Sequence, residues 1–252
     1  MQFWCSATGT AWSWEWQAIP GVWLFVIGVG LAVAAWNRAA ARRAGVRPGP
    51  AHPLFYVGLI TLWLALDWPI GALGAGYLAS VHMLQFILIA LVAPPALLRG
   101  VSPAAAAMLD SGSTAARVMK RLTNPVTALI LFNAVALLTH VPAIVDGLMP
   151  SQLGSLLIDV LWLAGGLLFW WPMTVPGPRH PRFVPPLRML YVVVGLMFSP
   201  IMFGLVGFMV YAEHPLYGIY ELAPPFPGYT ALQDLQVAGT MMSILAALVA
   251  FI

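Results

Sequence analysis

The chain has 252 residues, of which 61% are hydrophobic and 8% charged, with a mean hydropathy of +0.89. Soluble domains are about half apolar and a quarter charged, so this composition excludes an ordinary water-soluble domain and makes the bilayer the expected solvent. The net charge of +3 is scattered over several polar gaps with no basic, aromatic-interleaved surface, which argues against a nucleic-acid partner.

The chain opens with Trp4, Trp12, Trp14 and Trp16, and Trp23 follows closely. Residues 1–19 are expected to be an aromatic segment anchored at the outer interface. They lack the cationic stretch, apolar run and small-residue cleavage site of a removable signal peptide, and the lone Cys5 allows no internal disulfide. Apolar runs follow near 20–36, 54–70, 77–98, 125–143, 154–174, 187–210 and 232–252. Each approaches the roughly 20 residues that cross the hydrocarbon core as a helix, which predicts an all-α, polytopic bundle of seven transmembrane helices. Pro94 and Pro95 are expected to kink or end the third span, Pro172 and Pro176 to close the fifth, and Pro200 to interrupt the sixth. Beyond the Ala/Arg-rich turn at 39–50 there is no low-complexity stretch and no repeat period, so residues 1–252 are expected to form a single integral membrane domain.

Charge sets the orientation. All eleven Lys and Arg lie in three alternate gaps: Arg38, Arg42, Arg43 and Arg47; Arg99, Arg117, Lys120 and Arg121; then Arg179, Arg182 and Arg188. The intervening gaps carry Asp146, Glu213 and Glu221, and Glu15 precedes them all. Basic residues favour the cytoplasmic side, which predicts the N-terminus outside, the C-terminus inside, and membrane lipids as immediate partners.

Ionisable groups inside a span are costly and tend to face the bundle interior or a wet cavity. His82 in the third span, Asp159 in the fifth, His140 near the outer end of the fourth, Asp67 ending the second and Asp234 beginning the seventh all fall in one layer near the outer side. Gln85 and Gln236 are further polar groups on two of these helices. Such a layer has three readings. The residues are separate interfacial polar groups bonded to headgroups, water or neighbouring helices. Alternatively, His82, Met83, His140 and Met241 supply imidazole and thioether to a metal, a combination that suits copper, especially Cu(I). The third is a haem between His82 and His140, which is disfavoured because both lie near one interface with no second pair. No catalytic constellation points to an enzyme: Ser80, Ser199 and Ser243 lack base and acid partners at motif spacing, and there is no Cys cluster, phosphate loop or zinc-protease pair. Lys120, the only lysine, sits in a loop, so there is no intramembrane amine for a retinal Schiff base.

Several stretches, in order, resemble the CtaG-type assembly factors of caa-type cytochrome c oxidase. They are His82-Met83-Leu84-Gln85 with Ala93-Pro94-Pro95, Asn124-Pro125, Thr139-His140-Val141-Pro142, and the run from Gly165 to Pro172. Arg188 to Tyr191, Pro215 to Tyr220 and Asp234 to Met242 continue the pattern, so the resemblance spans roughly 52–245. It implies a seven-span protein of the bacterial inner membrane that helps to assemble a haem-copper oxidase, with a role in copper supply and oxidase subunits, or another membrane complex, as partners. The family commonly places a second histidine four residues after the first, where this chain has Phe86, and a histidine pair where it has Ser155 and Asp159. A site built as in the family would lose those ligands. Two rival readings therefore stand beside the assembly factor: a metal-free accessory subunit of a membrane complex, and a transporter of small solutes or metal ions. The transporter is opposed by the absence of inverted repeats and of paired broken helices and favoured by Pro200 in a Gly-rich span.

Overall fold

Prolines and polar caps set the starts of most helices in the computed structural model, which describes residues 2–175, 184–196 and 200–251. Among these residues there is no strand. The chain runs through α1 (Pro20–Arg43), α2 (Pro53–Leu66), α3 (Ile70–Gly76), α4 (Ala79–Phe86), a π-helical turn (Ile87–Val92), α5 (Ala93–Leu98), α6 (Pro103–Ala107) and α7 (Thr114–Leu122). It continues through α8 (Pro125–Leu138), α9 (Pro142–Leu148), α10 (Gln152–Thr174), α11 (Pro185–Leu196), α12 (Pro200–Val210), α13 (Gly218–Glu221) and α14 (Ala231–Phe251). A proline in the first turn removes an amide that would lack a partner anyway, as in α1, α2, α8 and α9. Side chains accept other free amides: Asn124 from Val126 N, Ser151 from Gly154 N and Ser113 from Ala116 N.

By length and composition α1, the continuous stretch Ala79–Leu98 and α10 are each sufficient to cross a bilayer. Two bent pairs, α2 with α3 at 45° and α7 with α8 at 70°, raise this to five if each counts as one span. The stretches expected as the sixth and seventh spans hold α11, α12 and α14. Arg179, Arg182, Pro176 and Ser199 lie outside the described residues.

Local structure departs from the sequence reading in three places. α1 continues to Arg43, so Arg38, Arg42 and Arg43 ride on the helix rather than in a gap. Pro94 and Pro95 do not end the third span: the backbone widens into the π-helical turn, and both prolines fall in the first turn of α5. α8 stops at Leu138, and His140 sits in the turn before α9 rather than one turn inside a helix.

The main core runs along α4, α5, α8 and α10 and contains Phe86, Phe132, Trp162 and Phe169. Glycines let backbones approach, as is common where helices pack without a water-driven force; a Cβ on Gly166 of α10 would overlap the Ala90 carbonyl and Pro94. A smaller core at the other end joins Ala40, Leu98, Val101, Ala105 and Trp171, with Trp36 stacked on Trp171 at 6.2 Å. The outward faces are apolar at helical spacing: Leu24, Ile27 and Leu31 on α1, and Val57, Ile60 and Leu64 on α2, are all exposed. That is the reverse of a soluble helix, whose polar face looks outward.

Candidate functional site

The site begins with a capped helix start. The first amides of a helix have no partner within it, and at α4 they are taken by Asp234 of α14, which accepts from Ala79 N, Ser80 N and the Ser80 hydroxyl. The carboxylate also complements the positive end of the helix. This joint fixes α4 against α14 and presents His82 and Phe86, four residues apart, on one face.

His82 is buried against Trp162, ring centroids 4.7 Å apart, and against Tyr220 at 6.1 Å. Neither of its ring nitrogens has a hydrogen-bond partner at normal geometry, although the Gln85 side chain lies close to the ring. His140 lies by the same indole, ring centroids 6.5 Å apart. Its Nδ1 is 2.6 Å from the Ala136 carbonyl. A carbonyl only accepts, so Nδ1 carries the proton, and in the neutral imidazole Nε2 is then a bare lone pair. That buried Nε2 has no partner either. Trp162 is held in place beside both rings because its Nε1 donates to Thr139 Oγ1 at 2.8 Å. Phe86 closes the group edge-on, 5.3 Å from His140 and 5.3 Å from Trp162.

The loop after α12 packs over these rings. Asp146 of α9 accepts from Gly218 N and Ile219 N, both at 3.0 Å, and so caps α13. That placement lets Tyr217 donate to the His140 carbonyl at 3.0 Å and Tyr220 to the Gly74 carbonyl at 2.7 Å. The Tyr220 hydroxyl also approaches Met149 Sδ at 3.7 Å. Burial pushes the Tyr217 hydroxyl up to about 12 and raises Tyr220 as well, so both stay protonated donors at neutral pH. Tyr220 and Asp234 also wall a cavity of about 200 Å³ with Tyr77 and Phe226. The Tyr220 ring thus stands between that cavity and His82.

The N-terminal segment is part of the same end of the bundle. Trp4 is only 2% exposed and donates Nε1 to Asp159 Oδ2 at 2.8 Å. Gln152 Oε1 accepts from Phe3 N and Trp4 N, and Gly21 donates to the Phe3 carbonyl. Burial, with Asp159 and Asp67 nearby, raises the Cys5 thiol and keeps it protonated. The expectation that these tryptophans are all interfacial anchors is corrected for Trp4, which is a buried plug, whereas Trp14 and Trp16 are exposed. Trp12 packs against Trp68 and Tyr77, and Trp23 donates to Asp67 Oδ2 at 2.8 Å.

Of the residues singled out from sequence, His82 and His140 come together around Trp162. Asp159 is three residues before Trp162 but is bonded to Trp4, Asp234 to the start of α4, and Asp67 to Trp23. Gln85 donates to the Ala65 carbonyl at 2.9 Å and Gln236 to the Ala212 carbonyl at 3.2 Å. Met83 is buried about 100° round the helix from His82, and Met241 is half-buried two turns beyond Asp234 on α14. The thioether that meets Tyr220, and through it His82, belongs to Met149, which sequence reading missed. Among the described residues, no three His, Cys, Asp or Glu side chains group as metal ligands.

A family model described as cytochrome c oxidase caa3 assembly factor (Caa3_CtaG) matches residues 31–252. No curated protein and no solved structure matches the chain.

The Trp4–Asp159 bond yields a direct test. Trp4→Phe keeps most of the ring but leaves a buried carboxylate without its donor, at an expected cost of about 2–3 kcal/mol, read as a lower melting temperature in detergent. Adding Asp159→Asn to Trp4→Phe should recover part of the loss. If Trp4→Phe melts like the wild type, Trp4 is not a plug.

Proposed function

The chain belongs to the Caa3_CtaG family of cytochrome c oxidase caa3 assembly factors, and from that membership we propose that it is a seven-span protein of the bacterial inner membrane that supplies copper to the oxidase. It is a single membrane domain with its N-terminus outside, and its role is delivery rather than catalysis. Its partners are oxidase subunits and the surrounding lipid. The apolar outward faces of α1 and α2 support the membrane setting. The orientation is supported by the separation of charge: Arg42, Arg43 and Arg99 lie at the ends of α1 and α5, away from Asp159 and Asp234 at the histidine end.

One observation carries the copper reading: His140 Nδ1 faces the Ala136 carbonyl, leaving Nε2 as a buried lone pair beside a second imidazole with no partner. Buried polar atoms are nearly always hydrogen-bonded, and an imidazole whose other N–H is held by a carbonyl is the usual arrangement of a metal ligand. The donor set fits Cu(I) best. A structural zinc site takes four ligands, whereas here the carboxylates are bonded elsewhere and two imidazoles with a thioether remain. That soft, low-coordinate set suits Cu(I). His82 and His140 would hold the ion, with the Met149 thioether that meets Tyr220 as a candidate third ligand, and the cavity beside Tyr220 as the approach from outside.

A metal-free accessory subunit is the second reading, and Phe86 favours it. At 1% exposure this ring fills the place where a second histidine on α4 would stand.

Purified protein loaded anaerobically should retain one Cu(I) per chain, and His82→Ala or His140→Ala should lose it. Phe86→His adds an imidazole one turn from His82 and should tighten binding by about tenfold. Loss of the protein should lower oxidase copper content without lowering oxidase transcripts. No retained copper in wild type and in Phe86→His, with oxidase copper unchanged on deletion, would leave the accessory-subunit reading. For topology, reporters fused after Arg43 or Arg117 should read as cytoplasmic and those near Asp146 or Glu221 as external; the opposite pattern overturns the orientation.

A further inference from the structure

At the end of the bundle away from the histidines, the last turns of α1, the loop at 44–52 and the turn after α5 enclose a cavity of about 590 Å³. Its frame is fixed by backbone chemistry. Asn37 on α1 donates Nδ2 to the Gly100 carbonyl at 2.7 Å and accepts from Ser102 N at 3.0 Å, tying the turn to the helix. Gly45, at a φ of 66° that favours glycine, reverses the chain so that Val46 N bonds back to the Ala41 carbonyl. Arg47 and Arg99 are thereby brought into one wall lining.

The unused polar side-chain groups there are all donors. Asn37 is committed on both sides, and Ser102 Oγ accepts from Ala105 N. His52 Nδ1 accepts from Leu54 N, so its Nε2 carries the proton. The Arg47 and Arg99 guanidinium groups make no hydrogen bond or ion pair with the described residues, and no carboxylate lines the cavity. The remaining lining is Ala, Val, Pro and Gly. Val46 in the wall, and Leu54 two residues beyond His52, are exposed apolar side chains.

We infer that this cavity binds the headgroup of an anionic phospholipid, with Arg47 and Arg99 on the phosphate and the apolar walls on the glycerol and first acyl carbons. Guanidinium forks match phosphate oxygens and bind them through charge-assisted hydrogen bonds. In the proposed topology the cavity faces the cytoplasmic leaflet, where basic residues at helix ends meet anionic headgroups. Free phosphate would meet the same donors but would leave the apolar walls unused. The inference goes beyond copper supply and does not depend on it.

The test is lipid retention by the full chain in mild detergent, followed by native mass spectrometry with phosphatidylglycerol and phosphatidylcholine of matched acyl chains. The wild type should prefer phosphatidylglycerol by about tenfold. Arg47→Gln with Arg99→Gln should abolish the preference, while Arg117→Gln, on α7, should keep it. Should the double variant fail to fold, the wild type alone decides: its melting temperature should rise with phosphatidylglycerol more than with phosphatidylcholine. Equal retention of both lipids, a preference that survives in the double variant, no selective rise in melting temperature, or complete displacement of phosphatidylglycerol by millimolar inorganic phosphate would overturn the inference.

Discussion

A polar atom buried among apolar helices needs a partner, and the histidine end of this bundle is arranged around that constraint. Each of the four aspartates there has found an N–H. Asp159 takes the indole of Trp4, Asp67 that of Trp23, Asp234 the open amides of α4, and Asp146 those of α13. Each bond joins segments far apart in sequence, so satisfying the acids is also what assembles the end of the bundle. An acid left alone in such surroundings would cost several kcal/mol, far more than any single helix cap contributes.

The imidazoles are treated differently. His140 has one nitrogen tied to Ala136 and the other open, and His82 has both open. Both pack on Trp162, which is itself locked by Thr139, so the two rings are held by packing rather than by bonds to each other. Fixed rings with open lone pairs are what a ligand site requires. Phe86 limits that site. Its ring supplies apolar contact to His140 and Trp162 but no donor atom.

Composition made the helices legible, because runs of about 20 apolar residues have few alternatives. His82 and His140 were legible for the same reason: against such a background any polar residue stands out. What could not be read was pairing across the chain. Nothing in the spacing of Trp4 and Asp159 announces a bond between them, and the interfacial habit of tryptophan pointed elsewhere. Asp146 looked like a loop charge because its partners are backbone amides, which carry no sequence signature. Met149 was hidden among twelve methionines. Pro94 and Pro95 misled because a π-helical turn absorbs the prolines without ending the span.

Copper-edge X-ray absorption on the Cu(I)-loaded full chain tests the central claim most directly. Coordination by His82 and His140 predicts a low-coordinate shell with the scattering of two imidazoles, reduced to one in His140→Ala. A four-coordinate shell, or one without imidazole scattering, that persists when both histidines are replaced would contradict it.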